Sequence, residues 1–373
     1  MRAEKIRYNG FRNIKNVEIS LSDGINVFFG KNAQGKTNAL EGIYMFAHGK
    51  SFRTQNDRDL ITFGESRASL ELAFSGGDRK RELSFELYKT RRRECKINKA
   101  PAKIGEVIGL FRAVLFCPDH LSLVKEGPAA RRSFLNSAIC QLKPVYLKSL
   151  QKYNHILEQR NILIKKSEDA PKKYEDIIDL YSEQLAIEAA YIYTVRCDYI
   201  KALSEYVGLF FDGMGNGEKV SLNYKNSLKS DELYDLNEIK KLYLELFTVD
   251  RTREIAAGAT LHGIHRDDIE IYLSGKEARI FASQGQQRSI ALAIKLAEGE
   301  ISREETGEYP VFLFDDVLSE LDRDRQKIVT DTLPGSQVII TTCDISGFDE
   351  KILTNAVMTE VVDGRYEVKK AFS

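Results

Sequence analysis

In the first third of the chain, apolar and polar residues alternate with a period of two, the pattern of half-buried strands. The alternation runs through residues 68–75 and again through 82–88, with Gly76-Gly77-Asp78 between them. This arrangement predicts a β-meander. Other short β-prone segments, separated by Asn, Gly and Asp, predict strands at 5–8, 17–21, 25–29 and 113–116.

The middle of the chain changes to helical spacing. Apolar residues recur every three or four positions through 129–140, 145–166 and 174–211. Ser167-Glu168-Asp169-Ala170-Pro171 separates the last two segments and predicts an antiparallel helical hairpin, or arm. Strands are predicted again at 310–314 and 338–341. The fold class is therefore α/β with a mainly helical insertion, divided into residues 1–128, 129–250 and 251–373.

The composition is that of an ordinary soluble protein, with 43% hydrophobic and 29% charged residues among 373. No apolar run approaches the ~20 residues that a membrane span needs, and the first residues lack the apolar region of a signal peptide. The five cysteines are scattered and form no CxxC pair. We therefore expect a reduced, cytoplasmic protein without a membrane partner.

The net charge of zero argues at first against a nucleic-acid partner. However, residues 1–150 contain 27 basic and 15 acidic residues, whereas residues 151–373 contain 28 and 40. An electrostatic interaction surface would give this asymmetry, and so would a chance segregation of solvated charges. The neutral total therefore does not exclude DNA.

A phosphate-binding motif occupies Gly30-Lys31-Asn32-Ala33-Gln34-Gly35-Lys36-Thr37, which matches GxxxxGK[ST]. It follows a predicted strand and opens a predicted helix over 37–48, as the chemistry requires. Backbone N–H groups of such a loop converge on a phosphate at the helix N-terminus. Lys36 would reach the β- and γ-phosphates, and Thr37 would give a hydroxyl to Mg²⁺. The motif predicts an ATP site made of these eight residues; the alternative is a glycine-rich turn with an incidental lysine.

Two carboxylates, Asp315 and Asp316, follow the apolar run at 311–314. Because ligands of α/β sheets lie at the carboxyl ends of strands, we expect both beside the phosphates. Asp315 would hold Mg²⁺ through water, and Asp316 would act with Lys36 in catalysis by orienting or deprotonating the attacking water. Asp315 follows Lys36 by 279 positions, which indicates that a large insertion splits the ATPase core. A strand followed by an Asp-rich turn is the alternative.

Two more segments flank this strand, Ser283-Gln284-Gly285-Gln286 and Ser319-Glu320-Leu321-Asp322. With the other motifs, their order resembles an ABC-type P-loop ATPase head of the SMC/Rad50 group, in which they correspond to the signature and the D-loop. Within the group the chain is similar to the RecF family of bacterial recombination-repair proteins, whose arm is short. Segments similar to that family's patterns are Lys50-Ser51-Phe52-Arg53, Phe116-Cys117-Pro118-Asp119-His120-Leu121, Gly127-Pro128, Arg131-Arg132-Ser133-Phe134-Leu135-Asn136, Gln159-Arg160-Asn161 and Gly263-Ile264-His265-Arg266-Asp267-Asp268.

The resemblance implies an ATP-dependent homodimer that clamps DNA at single/double-strand junctions. Ser283, Gly285 and Gln286 of one copy would face the γ-phosphate bound by the other. It also implies recombinational repair and replication restart, with RecO and RecR as partners in loading RecA, and a weak DNA-stimulated ATPase as a switch. The alternatives are an SMC/Rad50-like head with a chromosome-structural or nuclease-partner role, and a transporter ATPase.

Three features depart from the ABC pattern. The catalytic acid is usually Glu, whereas Asp316 is one methylene shorter, so we expect slow hydrolysis. Thr341-Thr342-Cys343 occupies the place of the switch histidine. A Q-loop glutamine cannot be assigned near residues 116–121.

Basic residues are concentrated on the predicted meander. Such residues neutralise phosphates without reading sequence, so we predict sequence-independent DNA contacts there, with a solvated hairpin edge as the alternative. The predicted contacts are Arg79, Lys80, Arg81, Arg91, Arg92 and Arg93. His262 and His265 lie near Asp267 and Asp268, but a structural or interface role suits them better than metal binding.

Overall fold

The computed structural model describes residues 1–77, 79–168, 171–214, 217–229, 235–318, 321, 325–327 and 335–369, without the side chains of residues 171, 350 and 351. Within these ranges the chain divides into two compact units. The first unit contains residues 1–121, 209–217 and 284–373, and the second contains 122–208 and 218–283.

The strands are, in chain order, β1 (Arg2–Phe11), β2 (Ile14–Ser20), β3 (Ile25–Phe29), β4 (Arg67–Gly76), β5 (Arg79–Tyr88), β6 (Glu94–Ile97), β7 (Ala100–Ala102), β8 (Ala113–Phe116), β9 (Val220–Lys225), β10 (Asp268–Leu273), β11 (Lys276–Glu277), β12 (Val311–Asp315), β13 (Val338–Thr342), β14 (Ala356–Val362) and β15 (Arg365–Lys369). The helices are α1 (Lys36–His48), α2 (Ile104–Val107), α3 (Ser122–Lys125), α4 (Pro128–Leu142), α5 (Pro144–Lys166), α6 (Pro171–Gly213), α7 (Leu236–Val249), α8 (Arg251–Ala257), α9 (Ala278–Phe281), α10 (Gln284–Thr306) and α11 (Glu350–Asn355), with short 3₁₀ turns at Asp57–Leu60 and Pro118–Leu121.

The first unit is built on two six-stranded sheets. One has the order β2-β1-β4-β5-β6-β7 with antiparallel neighbours, and it contains the predicted meander. The other has the order β15-β14-β3-β13-β12-β8, in which the central strands are parallel. This mixed sheet brings strands from the start and the end of the chain together, as the α/β fold class predicted.

Helix α1 packs in the core that the two sheets share. Its residues Leu40 and Phe46 belong to one buried cluster with Leu70, Phe85 and Leu313. The opposite face of the mixed sheet is covered by a second cluster that includes residues of α10 and α11. Strands β12 and β13 are therefore buried on both faces, which is why they appear in the sequence as unbroken apolar runs.

The second unit contains the predicted helical hairpin. Lys152 of α5 pairs with Glu188 of α6, and Arg160 of α5 donates a hydrogen bond to Ser182 of α6 at 2.9 Å. The sequence separation of the partners is smaller in the second pair than in the first, so the two helices are antiparallel, as predicted. The second unit also contains the three-stranded sheet β11-β10-β9.

The boundaries of the units differ from the expected ones. The second unit begins at Ser122 rather than 129 and extends to Ser283 rather than 250. The reason is long-range strand pairing, because β10 forms an antiparallel ladder with β9 from Asp268↔Lys225 to Leu273↔Val220. That ladder attaches residues 251–283 to the insertion, and local sequence patterns carry no signal of it.

In the described ranges, every helix is too short or too polar to span a bilayer. All five cysteines are free thiols, and Cys343 is the exposed one.

Candidate nucleotide-binding site

Residues 30–35 form a loop between β3 and α1 whose backbone only glycine accommodates at two points. Gly30 and Gly35 have φ values of 149° and 118°, in the region that disfavours side chains. A Cβ atom at Gly30 would overlap the carbonyl oxygen of Val361, and one at Gly35 would lie 2.9 Å from Oδ1 of Asn13. The glycines of the motif are therefore required by close packing around the loop.

The loop is supported by the turn between β14 and β15. The backbone N–H of Gly364 donates to the carbonyl oxygen of Gln34 at 2.9 Å, and that of Asp363 donates to Oε1 of Gln34 at 2.6 Å. The hydroxyl of Tyr366 donates to the carbonyl oxygen of Gly35 at 2.8 Å. These bonds hold the loop open, with its N–H groups available to an anion at the start of α1.

Lys36 folds back over this loop. Its Nζ donates to the carbonyl oxygens of Gly30 and Lys31 at 2.7 and 2.8 Å and lies 3.4 Å from Sγ of Cys343. The side chain is largely buried. Its ammonium charge therefore lies at the mouth of the loop, where a bound polyphosphate would need it.

Thr37 and Asp315 are brought into contact although they are far apart in sequence. Oγ1 of Thr37 donates to Oδ1 of Asp315 at 2.8 Å, and Oγ1 of Thr341 donates to the same oxygen at 2.7 Å. Burial raises the pKa of Asp315, and the hydrogen bonds from Thr341 and Thr37 oppose this effect. Carboxylate and hydroxyl oxygens are ligands that suit a hard cation such as Mg²⁺.

Asp316 follows in a left-handed conformation, with φ of 54°. Its N–H donates to the carbonyl oxygen of Thr341 at 3.1 Å, and Sγ of Cys343 lies 3.7 Å from its Oδ2. The same thiol donates to Oδ1 of Asn32 at 2.6 Å. Cys343 thus lies between the loop and Asp316, where it offers one weak donor instead of the two ring nitrogens of a histidine.

Glu41 on α1 is a component of the site that the sequence analysis missed. It is completely buried, and its carboxylate accepts hydrogen bonds from Arg12 at 2.7 and 2.9 Å and from Ser51 at 2.5 Å. Arg53 also approaches it, at 3.5 Å. A glutamate beside Leu40 on the apolar face of a predicted helix was the available signal, because a buried carboxylate needs partners.

A cavity of about 510 Å³ opens beside the phosphate-binding loop. Arg12, Asn13, Asn38, Arg53 and Phe63 are among the residues that line it. Nδ2 of Asn38 donates to Oδ1 of Asn13 at 2.8 Å, which fixes the side of the cavity nearest the loop. The cavity is next to the loop, and most of the residues that line it are polar or charged.

Buried His48 and half-buried His120 lie beside β8 and predict acid sensitivity. Nε2 of His48 donates to the carbonyl oxygen of Ala113 at 3.2 Å, and Nδ1 of His120 accepts from the N–H of Cys117 at 3.2 Å. Burial lowers the pKa of His48 to about 3 and that of His120 well below its usual value. Below an unfolded pKa of about 6.5, the unfolded chain therefore binds more protons than the folded one.

The contribution of these histidines to the free energy of unfolding should accordingly be fully present above about pH 6.5. Below that pH, the free energy of unfolding should fall by about 1.4 kcal/mol per pH unit for each histidine. The variant His48→Gln keeps an N–H donor for Ala113 but cannot titrate. Thermal unfolding followed by circular dichroism should show a smaller loss of Tm on acidification in this variant than in the wild type. Parallel curves for the two proteins would contradict the assignment.

The signature segment lies at the start of a long helix. Ser283, Gln284 and Gly285 are exposed, and α10 begins at Gln284. Gly285 and Gln286 thus lie in its first turn, where N–H groups are not used within the helix. Ser319, Glu320 and Asp322 of the D-loop lie outside the described residues.

The predicted DNA contacts differ in their surroundings. Arg79, Lys80, Arg91 and Arg92 are exposed, and Arg81 is half-buried. Arg93 instead forms a bidentate ion pair with Asp57 and donates to the carbonyl oxygen of Gly49 at 2.8 Å. The structure therefore assigns Arg93 to the support of the segment after α1, because its guanidinium is engaged within the chain.

Several other cations of the meander sheet are paired with acidic residues. Arg7 pairs with Glu18 and Glu71, and Lys5 also pairs with Glu18. Lys80 pairs with Glu4 at 3.2 Å, although its side chain remains 80% exposed. Arg79, at the turn between β4 and β5, and Arg92, in the loop after β5, form no ion pair with any described residue.

The histidines of the second unit are held by neighbours within that unit. His262 pairs with Asp250, and Nδ1 of His265 lies 2.7 Å from the hydroxyl of Tyr153 while its Nε2 lies 3.2 Å from the carbonyl oxygen of Thr260. Across the described ranges, His, Cys, Asp and Glu side chains form no group of three or more that is placed to hold a metal ion.

The chain is similar to known proteins along nearly its whole length. Residues 2–364 match the family model for the RecF/RecN/SMC N-terminal domain. The chain is 39% identical, over 96% of each protein, to the DNA replication and repair protein RecF of Bacillus cereus strain B4264, and equally to that of Bacillus thuringiensis strain Al Hakam.

Solved structures show the same relationship. The recombination mediator protein RecF-ATPrS in the RecFOR pathway superposes with a TM-score of 0.91 at 33% identity, over 98% of both chains. The Smc head domain of Pyrococcus furiosus bound to ScpA superposes with a TM-score of 0.58 at 19% identity, over 98% of this chain and 95% of the other, a likeness of fold alone. The fold class is thus that of the SMC-type ATPase heads, and the chain belongs to the RecF family of DNA replication and repair proteins.

Proposed function

We propose that the protein binds ATP and Mg²⁺ and uses them to close a homodimer on DNA during recombinational repair and replication restart. The observation that carries the proposal is the contact between Thr37 and Asp315 beneath the ammonium of Lys36. It unites a phosphate-binding loop with an acidic strand end, the two components that P-loop ATPases need. The solved relative named as RecF-ATPrS supports the choice of nucleotide.

Each residue of the site has a separate role in this proposal. The loop N–H groups and Lys36 bind the phosphates, and the cavity lined by Arg12, Asn13 and Phe63 takes the nucleoside. Thr37 and Asp315 would hold Mg²⁺, which, when bound, neutralises phosphate charge. Asp316 orients the attacking water and accepts its proton, but the short side chain makes hydrolysis slow.

Ser283, Gly285 and Gln286 complete the site of the second copy. A serine hydroxyl and first-turn N–H groups at the start of α10 suit the γ-phosphate. Because ATP would contact both copies only in the closed dimer, its binding shifts the population toward that state. Loss of the γ-phosphate removes this link and opens the dimer. RecO and RecR are the proposed partners in loading RecA at gapped DNA.

The proposal is tested by measuring ATP turnover and association state together, with and without gapped duplex DNA. We expect ATP to convert monomer to dimer in sedimentation velocity, and DNA to raise a turnover that is slow in its absence. Rapid turnover that is indifferent to DNA, or a mass that does not change with ATP, would contradict it. DNA-stimulated turnover would also exclude a transporter ATPase.

DNA binding should depend on two unpaired cations, Arg79 at the turn between β4 and β5 and Arg92 in the loop after β5. The double variant Arg79→Gln, Arg92→Gln removes two positive charges that form no ion pair with any described residue. Each lost phosphate contact should reduce the slope of log K against log salt by about 0.9, so the slope should fall by about 2. Fluorescence anisotropy with gapped duplex at several salt concentrations measures it.

Lys5→Gln is the matched control, because Lys5 lies on the same sheet but is neutralised by Glu18. It should leave the slope unchanged. Equal slopes for the double variant and the wild type would place the DNA surface elsewhere.

A further inference from the structure

Two large apolar side chains are exposed directly before the signature segment. Ile280 and Phe281, the last residues of α9, are 63% and 62% exposed. The next residue, Ala282, is buried and extended, with φ of −77° and ψ of 133°. Phe281 and Ser283 are therefore two exposed residues on either side of buried Ala282.

The cavity beside the phosphate-binding loop has an uncovered aromatic residue at its rim. Phe63 is fully exposed, although it lines the cavity together with Arg12, Asn13 and Arg53. The cavity thus has a polar, cationic side toward the loop and an open aromatic rim.

We propose that Phe281 of one copy covers the nucleoside of the ATP bound in the other copy, opposite Phe63. This inference rests on the proposed function, because a composite site is what brings Ser283 to the second copy's triphosphate. Two residues of extended chain span about 7 Å, a length comparable with that of a triphosphate chain. With Ser283 at the γ-phosphate, Phe281 can therefore reach the ribose and base.

The charge around Phe281 also suits a nucleotide. Nζ of Lys276 lies 5.7 Å from the centre of the Phe281 ring, and Arg279 is exposed on the same helical turn with its Nε 3.8 Å from a carboxylate oxygen of Glu277. A surface that combines an aromatic ring with cations fits an aromatic, anionic ligand better than it fits an apolar protein partner. The base would then be held by both copies, which couples the nucleoside, and not only the γ-phosphate, to dimer closure.

The test uses the full-length variants Phe281→Ala and Phe281→Tyr, with Val249→Ala as a control that shortens another exposed apolar residue of the second unit. Dimerisation with ATP is measured by sedimentation velocity, and stacking by the fluorescence of etheno-ATP, which aromatic rings quench. Since two such contacts form per dimer, Phe281→Ala should weaken dimerisation at least about tenfold. It should also lose the quenching that accompanies dimerisation, whereas Phe281→Tyr and Val249→Ala should behave as the wild type.

The outcomes separate this inference from the function on which it rests. If Phe281→Ala dimerises and quenches like the wild type while Ser283→Arg cannot dimerise, the inference is overturned and the composite site stands. A wild type that does not dimerise with ATP overturns both. Loss of ATP binding by monomeric Phe281→Ala would show that the ring serves its own chain, which also overturns the inference.

Discussion

The substitution Lys36→Ala is expected to abolish measurable ATP binding. The ammonium of Lys36 is held at the mouth of the loop by two backbone carbonyl oxygens at 2.7 and 2.8 Å. Hydrogen bonds to charged groups contribute about 1.5–3 kcal/mol each, and more than one phosphate oxygen would lose its partner. Because about 1.4 kcal/mol corresponds to a factor of ten, the affinity should fall by at least about a hundredfold.

Isothermal titration calorimetry with ATP and Mg²⁺ measures this loss. Lys31→Ala is the matched control, because Lys31 belongs to the same loop but its side chain is exposed and its role in the motif is carried by its backbone. It should change the affinity only a few-fold. Retention of ATP affinity by Lys36→Ala, in a protein with an unchanged Tm, would show that the nucleotide binds elsewhere.

Ser283→Arg should have an equally large effect on a different step, since it should leave ATP binding intact and block ATP-driven dimerisation. Ser283 is exposed at the start of α10, so an arginine fits there without disturbing the core. In the closed dimer the same arginine would occupy the space meant for the γ-phosphate of the second copy. A shape clash of this kind in a packed interface costs several kcal/mol, enough to remove the dimer at micromolar concentrations.

The measurement pairs calorimetry of ATP binding with sedimentation velocity in the presence of ATP. Ser283→Ala removes only the hydroxyl and should weaken dimerisation moderately. Ser20→Arg adds the same side chain at an exposed residue of β2 and should have no effect. Normal dimerisation of Ser283→Arg would refute the composite site. Loss of ATP binding in that variant would instead place Ser283 in its own chain's site.

The sequence was a good guide to the fold wherever the deciding interactions are local. β3, β8 and β13 are short, largely apolar segments that are buried between two cores. Buried strands of this kind appear in a sequence as continuous apolar runs, which is why the pattern predicted them. The phosphate-binding loop was equally clear, because close backbone packing dictates its glycines. The arm helices α5 and α6 followed from a period of 3.6 and a proline-containing break.

Contacts between segments that are distant in sequence could not be predicted from local patterns. Nothing near Glu41 in the sequence indicates that Arg12 and Ser51 bind its carboxylate. Because β9 pairs with β10, the second unit likewise ends at residue 283 and not at the predicted residue 250. Arg93 is a further example, since its basic neighbours in sequence suggested a DNA contact, whereas in the structure its guanidinium pairs with Asp57.

The support of the phosphate-binding loop by the turn after β14 has a consequence for protein synthesis. β3 lies between β13 and β14, and the bonds from Asp363 and Gly364 hold Gln34 in place. A ribosome adding about 5–20 residues per second needs tens of seconds between making β3 and making β14. During that time the nascent chain lacks the strands that flank its nucleotide loop. We therefore expect the ATP site to form late in folding. A growing chain should not bind nucleotide before nearly all of this sequence has been translated.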